Sequence, residues 1–288
     1  MGLIGILLGL VLGSLSLVLA DRSLTKKTFW GRSYCPQCKK NLRWYDLFPV
    51  LSYIFLKGRC RYCHRKINIE YLAVEVIMGL LVGFLFWQSS NNFNLFSSAD
   101  LLVKTFFITI LIVLFITDLR KMLIPDRIIL PAILIGFISL CLLTISKIAY
   151  LYYYLSQNQI GKYLLPPHSD YFLRHAIYSA YPLLTGILMG LIIGGFFWGL
   201  IIITKGKGMG GGDVKLGAFI GLMLGFPQSL VAIMSSFILG AFFSLFLIAF
   251  KKKHFGQSIA FGPFLVLGSL IVLFWGNQII DWYLKLRS

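Results

Sequence analysis

Acidic residues are scarce in this chain: ten of its 288 residues are Asp or Glu, against 27 that are Lys or Arg. All charged residues together make up 13% of the sequence, whereas hydrophobic residues make up 58%. A chain this poor in charge and this rich in apolar side chains falls outside the composition of ordinary soluble domains. The sequence therefore predicts a protein that crosses a membrane and has membrane lipid as a partner.

Long apolar stretches recur along the whole sequence. A helix needs about 20 such residues to cover the hydrocarbon core of a bilayer. Seven stretches approach that length, at 2–20, 71–88, 101–117, 128–147, 176–203, 229–250 and 262–281. An eighth, 214–225, is shorter. We predict an all-α polytopic membrane protein with about eight transmembrane helices.

The positive charges are sorted by loop. Twelve Lys or Arg residues lie between the first two predicted spans, and further groups lie in alternate loops at 120–127, 205–215 and 251–253. By the positive-inside rule these loops face the cytoplasm and both termini face outward. This sorting explains the net charge of +17, so no nucleic-acid partner is expected. Because no positive charge precedes the first apolar run, we expect residues 2–20 to be a retained span and not a secretory signal.

Cysteine is also rare, and four of the five cysteines form two pairs. Their pattern is C-x2-C, 21 residues, C-x2-C, formed by Cys35, Cys38, Cys60 and Cys63. This spacing is typical of four-thiolate zinc sites, in which both pairs bind one tetrahedral ion. A redox or disulfide pair is the alternative, which a reducing cytoplasm disfavours. We predict that a structural Zn2+ stabilises a small cytoplasmic module at 21–70, since this stretch has too few aliphatic residues for a large core.

Three of the few carboxylates lie at the ends of predicted spans. Asp118 and Asp126 stand in "TDLRKMLIPD", and Asp213 stands in "GKGMGGGDVKL". A carboxylate beside the hydrocarbon core is costly and by default marks a functional site. Two predicted crossings separate Asp118 from Asp213, so we expect both to face the cytoplasm and to meet there.

The pair Asp118 and Asp213 suits aspartic peptide hydrolysis. Two carboxylates in one buried site do not both ionise readily, so one keeps a proton while the other accepts a proton from water. The alternative is structural, with Asp213 as a helix N-cap and Asp118 as a surface partner of Arg120 or Lys121. Asp126 is expected only to begin the next helix.

Glycines surround Asp213 and also recur at every fourth residue in three spans. The glycines before Asp213 permit positive φ and close approach of another backbone, so an extended substrate can lie across the loop; they are Gly208, Gly210, Gly211 and Gly212. A phosphate-binding loop is the alternative, but its G-x-x-x-x-G-K-[ST] pattern is missing. Stripes of glycine predict close helix packing in lipid. The three stripes are Gly5, Gly9 and Gly13; Gly186, Gly190 and Gly194; and Gly217, Gly221 and Gly225.

Together these residues resemble the bacterial type IV prepilin peptidases, a family of intramembrane aspartic enzymes of the GxGD type. The resemblance covers nearly the whole chain, because it includes the tetracysteine loop and the stretches "TDLRKMLIPD", "GMGGGDVKLG" and "AFGPFLVLG". In that family the aspartate that opens D-x6-P-D and the one that closes G-x-G-D are catalytic. The resemblance therefore implies catalytic roles for Asp118 and Asp213.

The resemblance also implies substrates and a second activity. The substrates are type IV prepilin or pseudopilin precursors, whose basic leader is cleaved at the cytoplasmic face of the bacterial inner membrane. S-adenosylmethionine then donates a methyl group to the new N-terminal amine, for which Glu70 and Glu75 are the candidate residues. The sequence reads "EYLAVE" where the family more often has Tyr-Pro before the glutamate.

The expected organisation is a first transmembrane helix at 1–20, the zinc module at 21–70 and a peptidase domain at 71–288.

Two functions of other classes remain as alternatives. A transporter or channel can also use membrane carboxylates, but inverted repeats are expected there and only one half of this chain carries the cysteine loop. A non-enzymatic assembly scaffold would leave the glycines at Asp213 unexplained. On the outer side of the membrane, the Tyr-rich stretch 148–175 is expected to form an interfacial loop.

Overall fold

A computed structural model describes the chain except for residues 26–27, 30, 36, 90–93, 158, 207–208, 250–259 and 288. The described residues form ten α-helices and one short 3-10 helix. In chain order the α-helices are α1 (Gly2–Leu24), α2 (Leu51–Phe55), α3 (Ile69–Gln88), α4 (Leu95–Lys121), α5 (Asp126–Gln157), α6 (Gln159–Lys162), α7 (Tyr171–Ile203), α8 (Gly211–Leu224), α9 (Gln228–Ala249) and α10 (Gly262–Arg287).

Seven of these helices are long and apolar enough to cross a membrane within the described part of the chain: α1, α3, α4, α5, α7, α9 and α10. Helix α8 corresponds to the short eighth stretch and has 14 residues. At a rise of 1.5 Å per residue it is about 21 Å long, which is less than the thickness of the hydrocarbon core. The prediction of an all-α, multi-pass membrane protein is confirmed.

The chain divides into two compact units, residues 1–128 and 129–288. In the first unit α1 packs mainly against α3, and α4 contacts both. Every residue of α4 from Phe107 to Asp118 is buried except Phe115, as expected of a helix that is apolar on all faces. In the second unit α8 packs mainly on α7, with smaller contacts to α9 and α10. The division at residues 20 and 70 stays a prediction.

The glycine stripes lie where helix backbones touch, as expected. On the α1 side, a Cβ added at Gly13 would stand 2.8 Å from the Cα of Glu75 in α3. On the α8 side, a Cβ added at Gly221 would stand 2.5 Å from the carbonyl oxygen of Met189 in α7. Real side chains do not approach backbone atoms this closely, so any larger residue at these positions would push the helices apart.

The expectation of an interfacial loop over 148–175 is wrong for most of that stretch. Helix α5 continues to Gln157, α6 covers Gln159–Lys162, and α7 already begins at Tyr171. The Tyr-rich sequence ends the apolar run without ending the helix, because a polar tip on an aromatic ring suits the membrane boundary and does not disturb the helical backbone. Helices α5 and α7 are accordingly 32 and 33 residues long.

Candidate active site and metal centre

Two turns of matching geometry carry the four paired cysteines. In the first turn the N–H of Lys39 donates to the carbonyl of Cys35 at 2.9 Å, and in the second the N–H of His64 donates to the carbonyl of Cys60 at 2.9 Å. Lys39 and His64 both take a left-handed conformation, with φ of 59° and 55°. These equivalent turns fold each C-x2-C pair tightly, so that its two side chains reach one point.

The sulfur positions fit a tetrahedral zinc ion. All four Sγ atoms lie within 4.8 Å of one another, and those of Cys35 and Cys63 are 4.0 Å apart. Zn–S bonds of about 2.3 Å in a tetrahedron separate the sulfurs by about 3.8 Å, whereas a disulfide bond is only about 2 Å long. The cysteines are free thiols. The cluster is therefore suited to bind a metal such as zinc.

The electrostatics of the cluster also favour a cation. The backbone of Arg65 lowers the pKa of the Cys63 thiol, but desolvation and the other three cysteines outweigh this effect and raise that pKa to about 11. Hydrogen bonds with the other three sulfurs and the loss of solvent both favour the protonated thiol. A bound divalent cation would take the place of these protons and stabilise the thiolates.

Asp46 joins the 3-10 helix at Trp44–Leu47 to the second cysteine turn. Its side chain is 3% exposed and accepts hydrogen bonds from Arg61 Nε at 2.7 Å, from the N–H of Arg43 at 3.2 Å and from the hydroxyl of Tyr62 at 3.4 Å. Desolvation and the Asp46 charge raise the pKa of Tyr62, so the phenol keeps the proton that it donates. Sequence reasoning missed this residue, because Arg43 has no side-chain acceptor and the stretch from Arg43 to Asp46 therefore lacks the Ser/Thr-x-x-Glu/Gln pattern of a capping box.

Asp118 lies in the last turn of α4, in the first unit. It is 5% exposed, and its carbonyl oxygen accepts the N–H of Met122 at 2.8 Å. Met122 takes the left-handed conformation that ends the helix, with φ of 52° and ψ of 40°. Because Asp118 is buried, the alternative in which it is a surface residue is wrong.

Arg120 joins the ends of three helices in the first unit. Its Nε atom donates to Glu70 of α3 at 2.9 Å, and its Nη1 atom forms an ion pair with Asp21 of α1. The hydroxyl of Tyr71 donates to the second oxygen of Asp21 at 3.0 Å. Because Arg120 stands two residues after Asp118, this ion cluster holds the end of α4 that carries the candidate catalytic residue. Sequence reasoning did not single out Asp21, since nothing local marks a partner 99 residues away.

Glu75 makes a separate contact on α3. The residue is 8% exposed, its carboxylate accepts the N–H of Val50 at 2.7 Å, and a side-chain hydrogen bond joins it to Ser14 of α1. Glu70 and Glu75 are five residues apart, which places them about 140° apart around the helix. The two predicted methyl-transfer residues thus have different partners, and their role stays a prediction.

Asp213 is the third residue of α8, in the second unit. The N-cap is Gly210, whose carbonyl oxygen accepts the N–H of Asp213 at 3.1 Å. The alternative that makes Asp213 the N-cap is therefore wrong, but the first helical turn still favours a negative charge. A Cβ at Gly210 or Gly211 would meet no atom within 4 Å, and neither residue takes positive φ. Open space beside the helix, and not an unusual backbone, is what these glycines provide; Gly208 lies outside the described residues.

Asp126 is exposed and is the first residue of α5, as expected of a residue that begins a helix. Asp118 belongs to the first unit and Asp213 to the second, so their pairing stays a prediction. Several predicted cytoplasmic lysines lie outside the described residues, namely Lys26, Lys27, Lys207 and those at 251–253.

Two protein-family models match the chain. The model of the bacterial peptidase A24 N-terminal domain matches residues 7–89, which include the four paired cysteines and both glutamates. The model of the type IV leader peptidase family matches residues 105–167 and 168–245, which include Asp118 and Asp213. The resemblance stated from the motifs is thereby confirmed. No solved structure matches the chain.

Curated relatives match over most of the chain. A protein named prepilin leader peptidase/N-methyltransferase from Aeromonas salmonicida is 30% identical over 255 residues, which cover 88% of this chain and 75% of that protein. Proteins of the same name from Bacillus subtilis and Pseudomonas aeruginosa are each 28% identical, the first over 96% of both chains and the second over 88% of this chain and 74% of its own. On these matches, the chain belongs to the type IV leader peptidase family.

Proposed function

We propose that this protein cleaves the leader from type IV prepilin or pseudopilin precursors and methylates the new N-terminus. Relatives that carry the name of both activities match over about nine tenths of the chain. The observation that carries the proposal is that the family's two aspartates stand at helix ends here, with Asp118 buried at the end of α4 and Asp213 in the first turn of α8.

The proposed peptidase uses Asp118 and Asp213 as a pair. One carboxylate, ionised, takes a proton from a water molecule, whose oxygen attacks the carbonyl carbon of the scissile peptide bond. The other carboxyl group, protonated, donates its proton to the nitrogen that leaves as the new amine. The start of α8 favours the anionic form of Asp213, so we assign the role of base to Asp213 and the first proton to Asp118.

The proposed location is the cytoplasmic face of the bacterial inner membrane. The groups of Lys and Arg between spans support this orientation, because they adjoin the end of α4 and the start of α8. A leader peptide that stays in the cytoplasm would meet both carboxylates at that face. A transporter that uses these carboxylates is not favoured, since the matching relatives are named as peptidases.

We propose that Cys35, Cys38, Cys60 and Cys63 hold a structural zinc ion. The fit of four thiols to one tetrahedral ion supports this assignment. With all four positions taken by protein sulfur, such an ion has no open site for a substrate or for water. Its contribution is to fold the module at 21–70, which is too small to fold on apolar contacts alone.

S-adenosylmethionine is the proposed methyl donor, and when bound it supplies an electrophilic methyl group. Glu70 and Glu75 remain the proposed methyl-transfer residues, since an amine must lose its proton before it attacks, and a carboxylate can accept that proton. Glu70 is engaged by a charged partner, Arg120, whereas Glu75 binds a backbone N–H and a hydroxyl. Glu75 is therefore the less strongly neutralised of the two.

The peptidase is tested with purified protein and a prepilin, with and without S-adenosylmethionine, by weighing the product. Asp118→Asn and Asp213→Asn should each reduce leader removal by more than about 10²-fold, since each removes one acid–base group. The matched control is Asp126→Asn, which changes an exposed aspartate of the same motif and should cleave normally. Normal processing by either of the first two variants would remove the pair from consideration. A gain of one methyl mass on the cleaved product tests the second activity.

A further inference from the structure

The tetracysteine loop carries an exposed apolar segment, residues 47–55, which comprises the end of the 3-10 helix, α2 and the turn between them. Five large side chains in it are 40% to 81% exposed: Leu47, Phe48, Leu51, Ile54 and Phe55. Leu51, Ile54 and Phe55 are three and four residues apart and share one face of α2, whereas Leu47 and Phe48 precede the turn at Val50. Water-exposed surfaces rarely gather this much apolar area, and where they do the patch is usually a contact site.

A hydrogen bond fixes the position of this segment along helix α3. The N–H of Val50 donates to the buried carboxylate of Glu75 at 2.7 Å, and Glu75 lies six residues after Ile69, where α3 begins. Six residues of α-helix rise about 9 Å. Since α3 has 20 residues, about the number needed to cross the hydrocarbon core, the contact at Val50 lies about 9 Å inside the end of α3, within the adjacent leaflet.

The backbone of Val50 is held in a costly conformation for this contact. Its φ is 62° and its ψ is −51°, although a β-branched residue is rarely found at positive φ. Such strain persists only where surrounding contacts hold it in place, and here Glu75 supplies the contact. The exposed side chains of Leu51, Ile54 and Phe55 follow directly after this turn.

The charges around the segment indicate what covers it. Arg43, Lys57 and Arg59 flank it and are all exposed. Basic side chains beside an amphipathic apolar face are typical of elements that lie on an anionic lipid surface. The same charges would repel a basic leader peptide, which disfavours the proposed substrate as the occupant.

We propose that segment 47–55 is a membrane-docking element, which inserts Leu51, Ile54 and Phe55 among the acyl chains of the adjacent leaflet. Arg43, Lys57 and Arg59 contact anionic lipid headgroups. The element thereby ties the tetracysteine module to the bilayer on the side where α3 begins. This proposal concerns lipid contact alone and does not depend on either proposed activity.

Photocrosslinking in the full-length protein tests the insertion. Phe55 is replaced by p-benzoylphenylalanine, the protein is placed in nanodiscs of phosphatidylglycerol and phosphatidylethanolamine, and adducts are identified by mass after irradiation. We expect lipid adducts at this position at least about five times more often than at Gln37, an exposed residue of the first cysteine turn. Adducts only within the chain or with added prepilin, or equal lipid adducts at Gln37, would overturn the proposal.

Charge removal tests the headgroup contact. In the same Phe55 crosslinking protein, replacing both Lys57 and Arg59 by Gln should lower the yield of phosphatidylglycerol adducts at least about threefold. The matched control replaces Arg65, an exposed arginine beside Gln37, by Gln and should leave the yield unchanged. Exchange of all phosphatidylglycerol for phosphatidylcholine should likewise lower the total yield of lipid adducts at Phe55 at least about threefold. An unchanged yield in both experiments would contradict the role of anionic lipid, and leader cleavage measured in parallel keeps this outcome separate from the proposed function.

Discussion

The two helix ends that carry the candidate catalytic aspartates are held by different kinds of contact. The end of α4, with Asp118, is held by charged side chains, because Arg120 binds Asp21 of α1 and Glu70 of α3. The start of α8, with Asp213, belongs to a helix that is held by backbone contact, with Gly221 directly against α7. Charged contacts are directional but partly exposed to water, whereas glycine contacts depend on the absence of a side chain. The two ends should therefore respond to different substitutions.

The largest effect is expected from Gly221→Leu. A Cβ at this position would stand 2.5 Å from the Met189 carbonyl oxygen, so α7 and α8 cannot keep their spacing, and overpacking of this kind costs about 3 kcal/mol or more. Thermal unfolding in detergent measures the loss. The control is Gly195→Leu on α7, where a Cβ meets nothing within 4 Å. Equal unfolding temperatures for the two variants would contradict the close packing of α8.

A bound zinc ion is a third kind of contact, and its loss is expected to have the next largest effect on stability. Cys35→Ser should reduce bound zinc from one ion per chain to well below one and loosen the module at 21–70, because a structural zinc site supplies much of the folding free energy of so small a domain. Metal analysis and limited proteolysis of that segment measure both effects. Cys141→Ser, a cysteine of α5 outside the cluster, is the control. Unchanged zinc content and protease resistance in Cys35→Ser would argue that no zinc is bound.

Arg120→Gln tests the charged contacts that hold the end of α4. The substitution leaves Asp21 and Glu70 facing each other without the shared cation and should cost about 1 to 2 kcal/mol, since both carboxylates are only partly buried. Leader cleavage should fall with it, because the end of α4 is then less firmly held. Lys121→Gln changes an exposed neighbour and should leave stability unchanged. If both variants melted alike, Arg120 would not be the residue that joins the helices.

The smallest effects on stability and on leader cleavage are expected from Glu70 and Glu75, which have different partners on the same helix, α3. Glu70→Gln should weaken the ion cluster and reduce cleavage slightly, within about threefold, whereas Glu75→Gln should leave cleavage nearly unchanged and reduce methylation by at least about tenfold. Mass measurement of the processed pilin reports both steps in one sample. Equal methylation by both variants and the wild type would remove the glutamates as methyl-transfer residues.

Most of the membrane architecture was predictable from the sequence. Apolar runs and the glycine stripes are local patterns, and each corresponds to a helix or a helix contact in the structure. The stretch 148–175 was predicted wrongly, because its tyrosines end the apolar run without ending the helix. The structural alternative that made Asp213 an N-cap was also wrong, since Gly210 is the N-cap.

The candidate site was predictable where its residues stand in short motifs. The two C-x2-C pairs and the motifs around Asp118 and Asp213 can be read directly from neighbouring letters. Asp21 and Asp46 were not singled out, and the pairing of Arg120 with Asp21 and Glu70 was not predicted, because these partners are distant in sequence and isolated charged residues carry no pattern. The hydrogen bond between Val50 and Glu75 was not predictable either, since neither residue type indicates a partner 25 positions away.

The sequence by itself determined which segments enter the membrane, which loops carry positive charge and which side chains have the chemistry for metal binding and hydrolysis. These properties depend on the free energy of transfer of each residue and on its functional groups, and both are set locally. Only the tertiary structure decided that Arg120 joins three helix ends, that Gly221 lies against a carbonyl of α7 and that Val50 is held by a buried glutamate. Contacts of this kind arise because helices far apart in sequence pack side by side, and their geometry depends on all the side chains between them at once.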